Sequence, residues 1–326
     1  KFDIKNYAIY NQLLYSPIKN VNITLTHRND INKTSQNLSY NIQDWTDWEI
    51  ITDNINTKIV DNNLIGGRIN IEIIDERNLF YNISLSKGYK TSGINQSPNF
   101  YDSYKTYNKE TCYNLEFLIK KISDKYNITF KAFQMKRYNP QLRLFFQFTD
   151  DPTDFDYGTF NAKSGYNNGV EFDLNLSINN NFKLFTSIGL LKTHISSYVL
   201  EYPGLENNIF GNRSLAHSPE KSFIIGIEFK PFTNYNGLVF NIETNYMDEF
   251  LFDDLNNHKS SSYYLTNTSM KNKFDNIELS IWCKNLFNEE YAERGYTFNL
   301  DPSGTSKDYK SFGSPRVLGL TVNYSM

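Results

Sequence analysis

Ile277-Glu-Leu-Ser-Ile-Trp-Cys-Lys284 and Val317-Leu-Gly-Leu-Thr-Val-Asn-Tyr-Ser-Met326 are the stretches that decide the fold. In the first, Ile277, Leu279, Ile281 and Cys283 share one face, and Glu278, Ser280, Trp282 and Lys284 share the other. In the second, Leu318, Leu320, Val322, Tyr324 and Met326 alternate with Val317, Gly319, Thr321, Asn323 and Ser325. Alternation with a period of two over roughly eight to ten residues is a strand with one apolar face. A chain whose last strand is apolar at every second residue has the pattern of a transmembrane β-barrel closing on itself.

Composition alone does not select that pattern: an excess of Tyr and Phe suits the aromatic girdles of a barrel, but a soluble β-rich protein also favours these residues and is the reading composition by itself prefers. The 326 residues include 24 Tyr and 25 Phe, and aromatics make up 16%. Mean hydropathy is −0.55, and no apolar run approaches the roughly 18 residues of a membrane helix. A helical membrane protein is excluded, whereas a barrel is not, because its strands show only alternate residues to lipid. The net charge of −3 offers no basic surface for nucleic acid. Two cysteines make no disulfide framework. Cys112 shares parity with Asn114, Glu116 and Lys120, and Cys283 with Ile277, Leu279 and Ile281. One thiol is expected toward a lumen and one toward lipid, with no bond between them.

From Asn6 onward, apolar alternation recurs in strands separated by two kinds of connection. Short turns are expected at Ser16–Asn20, Asp75–Asn78, Ser123–Asn127, Asn179–Asn181, Pro231–Asn236 and Lys271–Asp275. Long polar loops are expected at Asn29–Asn63, Lys90–Lys109, from Asp150, at Ser197–His217 and at Met247–Lys259. Ile128–Phe148 reads as one long strand, irregular at Asn139-Pro140. Short and long connections alternate along the chain. Outer-membrane barrels have this arrangement, with short periplasmic turns and long extracellular loops. About thirteen antiparallel strands are expected. An odd number with termini on opposite sides would leave two strand edges unpaired in lipid. The chain begins at Lys1 and has no charged-then-apolar leader. The expectation is a piece of a larger barrel, its C-terminal part, with residues 1–326 forming one partial barrel domain.

Ordered motifs then carry a family resemblance. They are Ser84-Leu-Ser-Lys-Gly-Tyr-Lys90 with Gly93-Ile-Asn95, Glu110-Thr-Cys-Tyr-Asn-Leu-Glu116 with Lys120, and Asn168-Gly-Val-Glu171. Further along come His217-Ser-Pro-Glu-Lys221 and Asn285-Leu-Phe-Asn-Glu-Glu-Tyr291. Together the chain resembles the C-terminal barrel portion of a TonB-dependent outer-membrane receptor. Glu293-Arg-Gly-Tyr296 with Gly313-Ser-Pro-Arg316 resembles receptors for iron complexes. The resemblance implies a 22-stranded barrel closed by an N-terminal plug, with the plug and about nine strands absent from this chain. It implies energy-coupled uptake of a scarce nutrient, such as a ferric siderophore. The implied partners are the TonB coupling protein acting through the plug, a siderophore-like ligand, outer-membrane lipid and lipopolysaccharide, and the barrel-assembly machinery. The family's usual last residue is Phe or Trp, whereas this chain ends on Met326. A passive porin-like channel is the alternative.

No enzyme chemistry is nominated. His27, His194, His217 and His258 lack metal-ligand spacing, no Gly-x-Ser-x-Gly occurs, and no cofactor is expected. Asp150-Asp151 and Asp253-Asp254 fall in expected loops as solvated acids or cation ligands. Glu116, Lys120, Glu171, Asp173, Glu228, Glu243, Glu278 and Lys284 are expected to line the lumen. Tyr89, Tyr101, Tyr104, Tyr107, Phe298 and Tyr309 are the candidate ligand-contacting aromatics in or beside long loops.

Overall fold

The computed structural model describes residues 2–43, 50–95, 105–147, 155–200, 208–232, 237–298 and 307–325. Thirteen strands form one antiparallel sheet, ordered as they occur in the chain. They are β1 (Phe2–Ile18), β2 (Val21–Gln43), β3 (Ile50–Asp75), β4 (Leu79–Lys90), β7 (Glu110–Ile122), β8 (Tyr126–Tyr138) and β11 (Ser164–Ser177). The series continues with β12 (Phe182–Ile195), β15 (Lys221–Phe229), β16 (Leu238–Met247), β17 (Tyr263–Phe274), β18 (Ile277–Lys284) and β21 (Val317–Tyr324). Between these lie four short hairpins. They are β5 (Gly93–Ile94) with β6 (Thr106–Tyr107), β9 (Gln141–Gln147) with β10 (Phe155–Asn161), β13 (Tyr198–Leu200) with β14 (Asn208–Phe210), and β19 (Ala292–Phe298) with β20 (Lys307–Phe312). Among the described residues, β1 and β21 are each paired on one side only.

The connections sort by end, as the sequence predicts. At one end the chain reverses tightly, and asparagine or aspartate takes the left-handed conformation these turns require: Asn20 (φ 73°), Asn78 (φ 58°) and Asp275 (φ 46°). All four accessory hairpins belong to connections at the other end.

Register fixes the two faces. Ile83, Phe117, Ala132, Val170 and Leu190 lie opposite one another on successive strands, as do Ser84 and Glu116 on the other side. The apolar side is the outer one. Leu318, Leu320, Val322 and Tyr324 are 72%, 66%, 59% and 65% exposed, which suits contact with lipid. The inner side carries charge. Lys131 lies 3.8 Å from Glu116 and 3.3 Å from Glu171. Glu228 pairs with Lys183 and Lys230, Glu278 pairs with Lys271, and Glu243 accepts from Asn267. Cys112 and Cys283 fall on opposite faces, as their parity predicts, and both are free thiols.

Three expectations need correction. Asn29–Asn63 is not a long loop: β2 and β3 run through most of it, paired as far as Gln43 with Ile50. The strands are 23 and 26 residues long, whereas about 9–11 residues cross a membrane. This hairpin continues beyond the membrane, where backbone pairing needs no apolar alternation. Ile128–Phe148 is two elements. Asn139 turns left-handed (φ 50°), Pro140 has no amide hydrogen to donate, and Gln141–Gln147 leaves the large sheet to pair with β10. The first and last short turns are only Lys19–Asn20 and Asp275–Asn276, because β1 extends to Ile18 and β17 to Phe274.

Candidate functional site

The apolar cores of the described residues are in the loop layer. Leu142 and Leu144 of β9, Phe160 of β10, Ala162, Ile195, and Tyr198 and Leu200 of β13 form one buried cluster, with Phe210, Leu215 and Leu255 against it. Phe250, Phe252 and Ala292 form a second, with Met247 and Tyr263 beside it. The alternation that puts Leu142 and Leu144 inside leaves Arg143 exposed between them. Likewise Phe160 is buried while Tyr157 is 48% exposed.

A cavity of about 640 Å³ lies along these clusters, within the roughly 300–1,000 Å³ range of ligand sites. Its walls include Arg143, Phe155 and Tyr157 of the β9–β10 hairpin, His217, the Phe252–Asn256 segment, and Arg294–Thr297 of β19. Gly295 is required at the wall, because a side chain there would collide with the Phe252 ring. His217, left-handed at φ 50°, donates its amide to the Leu251 carbonyl at 2.8 Å. Its ring lies 5.2 Å from Phe250.

The acids and bases of this cavity are in different situations. Asp253 accepts from the Leu255 and Asn256 amides at 2.7 and 2.5 Å. Asp254 accepts from the Ala216 amide at 2.9 Å. Arg213 donates to the carbonyls of Asp253 and Asn256. These bonds clasp the loop after β16 to the loop after β14. Burial pushes the Asp254 carboxyl above its ordinary range, against the opposing pull of the Ala216 amide and Arg213. Both acids are therefore occupied by the backbone, as N-terminal turn caps are. Arg143 and Arg294 are not. The Arg143 guanidinium lies 5.0 Å over the Tyr157 ring, and Arg294 has no hydrogen-bond or ion-pair partner among the described residues. The cavity wall thus carries two cations, Arg143 and Arg294, and two backbone-bonded carboxylates, Asp253 and Asp254, among aromatic rings.

Of the aromatics nominated from sequence, none has a described side chain in the cavity. Tyr89 donates to Asp30, which also pairs with Arg28 at 2.8 Å. That cluster fastens β2 to the end of β4. Tyr107 packs over Gly93, where any side chain would meet its hydroxyl, and burial pushes its phenol up. Tyr101 and Tyr104 lie outside the described residues, as do Asp150 and Asp151. Phe298 and Tyr309 belong to the β19–β20 hairpin, pairing with Lys307 and Tyr296 respectively. That hairpin carries Arg294–Thr297 to the cavity. Arg143, Tyr157, His217, Arg294 and Tyr296 are among the lining residues that sequence reasoning did not nominate as ligand contacts. The available signals were the Asn139-Pro140 break and the Arg294-Gly-Tyr296 run. Among the described residues, no three His, Cys, Asp or Glu side chains could hold a metal ion.

The Asn285–Tyr291 motif has a structural role. Asn285 donates to the Glu289 and Ser314 carbonyls and accepts from the Glu289 amide. Asn288 accepts from the Arg316 amide, and Gly313 leaves room for the Tyr291 ring. The motif binds the base of the last loop to the start of β21.

Comparison with known proteins places this geometry. The family model described as TonB dependent receptor-like, beta-barrel, matches residues 1–286. No curated protein matches by sequence. Among solved structures, the ferric yersiniabactin uptake receptor FyuA from Yersinia pestis aligns with a TM-score of 0.79 at 15% identity, over 99% of this chain and 46% of that one. The ferric-catecholate import receptor Fiu from E. coli K12 gives 0.73 at 14%, over 99% and 45%. The copper transporter OprC gives 0.75 at 14%, over 99% and 48%. At these identities the likeness is one of fold, and the chain spans about half the length of the structures it matches.

Proposed function

Because this chain belongs to the TonB-dependent receptor family, we propose that it forms the C-terminal wall and loop layer of an outer-membrane receptor for energy-coupled uptake of a scarce nutrient. The ligand we infer is a ferric siderophore or a similar iron complex, taken from outside a Gram-negative cell. The family match carries the reading. The loop-layer cavity supports it, because Arg143 and Arg294 among Tyr157, Phe155 and Tyr296 suit an anionic, ring-bearing chelate. The TonB coupling protein is the inferred partner, acting on the plug that such receptors carry. Two of the aligned structures are named as receptors for ferric complexes.

The test is uptake of radiolabelled ferric chelates by cells carrying or lacking the gene. The proposal expects saturable uptake that stops when the proton gradient is collapsed or the coupling protein is removed. Uptake that is linear in concentration and indifferent to both treatments is the behaviour of a passive channel, and would replace this reading with that one. Removing the two cations (Arg143→Gln with Arg294→Gln) is expected to weaken chelate binding about tenfold or more, since each cation–ring contact is worth roughly 0.5–2 kcal/mol.

A further inference from the structure

Two of the connections that wall the cavity meet at a histidine. The loop after β16 folds back on itself, with Leu251 bridged to Lys259 and the Phe252 amide donating to the His258 carbonyl at 3.1 Å. This sets the His258 ring against that of Phe252, with centroids 4.8 Å apart and planes at 70°. Phe252 in turn lies on Gly295 of β19. On the β20 side, His258 Nδ1 stands 3.6 Å from Asp308 Oδ1. The same carboxylate oxygen accepts from the Thr297 hydroxyl at 2.6 Å. Phe252–Asn256 on one side of this contact and Arg294–Thr297 on the other both line the cavity.

The contact lacks a proton to complete it. The His258 side chain is 8% exposed, and its Nδ1 has no hydrogen-bond partner among the described residues. A neutral imidazole either turns a lone pair toward the carboxylate or holds an N–H whose acceptor is beyond bonding distance. Leaving such a buried nitrogen unpaired is unfavourable. A proton on the ring makes Nδ1 a charged donor, and the gap can then close to a charge-assisted bond. Asp308 is 53% exposed, so the gain is that of a partly screened pair.

The other charges around His258 are engaged elsewhere or lie farther off. On its own loop, Asp253 and Asp254 accept from backbone amides, and Lys259 pairs with Glu249 at 2.8 Å. The connection after β14 brings Arg213, which donates to the Asp253 and Asn256 carbonyls, and His217, whose ring lies against Phe250. The hairpin brings Glu293, Arg294, Lys307 and Lys310 besides Asp308. Among the described residues, only Asp308 makes a contact of ion-pair length with His258.

We propose that His258 is a proton-operated latch joining the loop after β16 to the β19–β20 hairpin, so that the cavity holds its ligand more tightly in acid surroundings than in alkaline ones. Histidine ordinarily changes charge between about pH 5 and 8. The joined state binds the proton more tightly than the parted one, so the latch is engaged at the acid end of that range and released as pH rises. The consequence for a ligand rests on the uptake reading given above, whereas the latch is measurable without any ligand.

The test uses full-length protein carrying Cys112→Ser and Cys283→Ser, with spin labels on Asn257→Cys and Lys310→Cys, both at exposed positions. Distances between the labels are measured by double electron–electron resonance in ligand-free protein across about pH 5 to 8. The label pair reports the loop against the hairpin, whereas Asp254 ties that loop to the connection after β14. The ratio of joined to parted populations is expected to be roughly two- to fivefold higher at the acid end. His258→Gln is expected to remove the dependence. Asp308→Asn, which keeps an oxygen for the Thr297 hydroxyl, is expected to do the same. Heat-modifiability on gels checks that all the proteins are folded barrels. A distance indifferent to pH in the parent, or a dependence that survives both substitutions, would overturn the latch. A pH-dependent distance in a protein that takes up ferric chelates only passively would keep the latch and overturn the uptake reading. Saturable, energy-dependent uptake with a pH-independent distance would sink the latch alone.

Discussion

The outer face of the sheet and the loop layer above it invert the usual order of a protein. On the sheet the large apolar residues are the exposed ones, with Leu318, Leu320 and Ile242 at 72%, 66% and 46%. In the loop layer they are buried, with Leu144 and Leu142 at 1% and 3%. The same residue types serve both regions because the surroundings differ. The sheet turns its leucines to lipid, where no water has to be displaced. The loops stand in water and must build a core of their own. A loop layer with a core is a preorganised site, so the cavity between Arg143 and Arg294 is held by packing and is not left to form on binding.

The sharpest way to break this comparison is to cut into the loop core. Leu144→Ala is expected to cost about 2–5 kcal/mol locally, as large-to-small changes in packed cores do. The loss should register as faster proteolysis of the 139–163 connection and weaker chelate binding, with the barrel still heat-modifiable. If barrel and loops fail together, the two regions are one cooperative unit and the contrast drawn here is wrong.

A smaller effect separates the two faces of the sheet itself. Ile242 faces outward and its neighbour Asn241 inward. Ile242→Arg is expected to destabilise the barrel in bilayers by roughly 2–4 kcal/mol, and Asn241→Arg by much less. Urea unfolding midpoints of the two variants measure the difference, and equal midpoints would remove the assignment of faces.

The smallest effect concerns the clasp on Asp254. Its pKa is raised above 3.8 mainly by burial, so the closed loops bind its proton more tightly than open ones. That contribution is fully present below the ordinary carboxylate pKa and is lost as pH rises through the raised midpoint. Protease protection of the 248–262 loop should therefore weaken as pH rises above about 4. Asp254→Asn should abolish the slope while keeping the bond to the Ala216 amide. A slope unchanged in the variant would assign the effect to another group.

Much of this architecture was readable in advance, and the reasons lie in particular residues. Period-two alternation from Ile277 to Cys283 and from Leu318 to Tyr324 reports a lipid on one side, and short turns such as Glu76–Asn78 report the other end of the barrel. Asn29–Asn63 misleads because, above the membrane, strands pair through their backbones and polar residues suit both sides. The cavity was hidden for a different reason. Its cations and rings come from four separate connections, and only the packing of Leu144, Phe252 and Gly295 brings them together. Tyr89 and Tyr107, nominated because aromatics in loops often bind ligands, have structural contacts: Tyr89 ties the end of β4 to β2 across β3, and Tyr107 packs on Gly93 within its hairpin. The Asn285–Tyr291 motif was legible as a family feature, and its work as a backbone clasp emerges only from the hydrogen bonds of Asn285.

The central claim is that the cavity-bearing loops and the tight turns lie on opposite sides of an outer membrane. Single cysteines, Tyr157→Cys in the cavity and Asp124→Cys in the turn after β7, can be placed in full-length protein carrying Cys112→Ser and Cys283→Ser. Intact cells are then treated with a membrane-impermeant maleimide. The account predicts labelling of Tyr157→Cys in intact cells, and of Asp124→Cys only after the outer membrane is permeabilised. Labelling of Asp124→Cys in intact cells, with Tyr157→Cys protected, would contradict it.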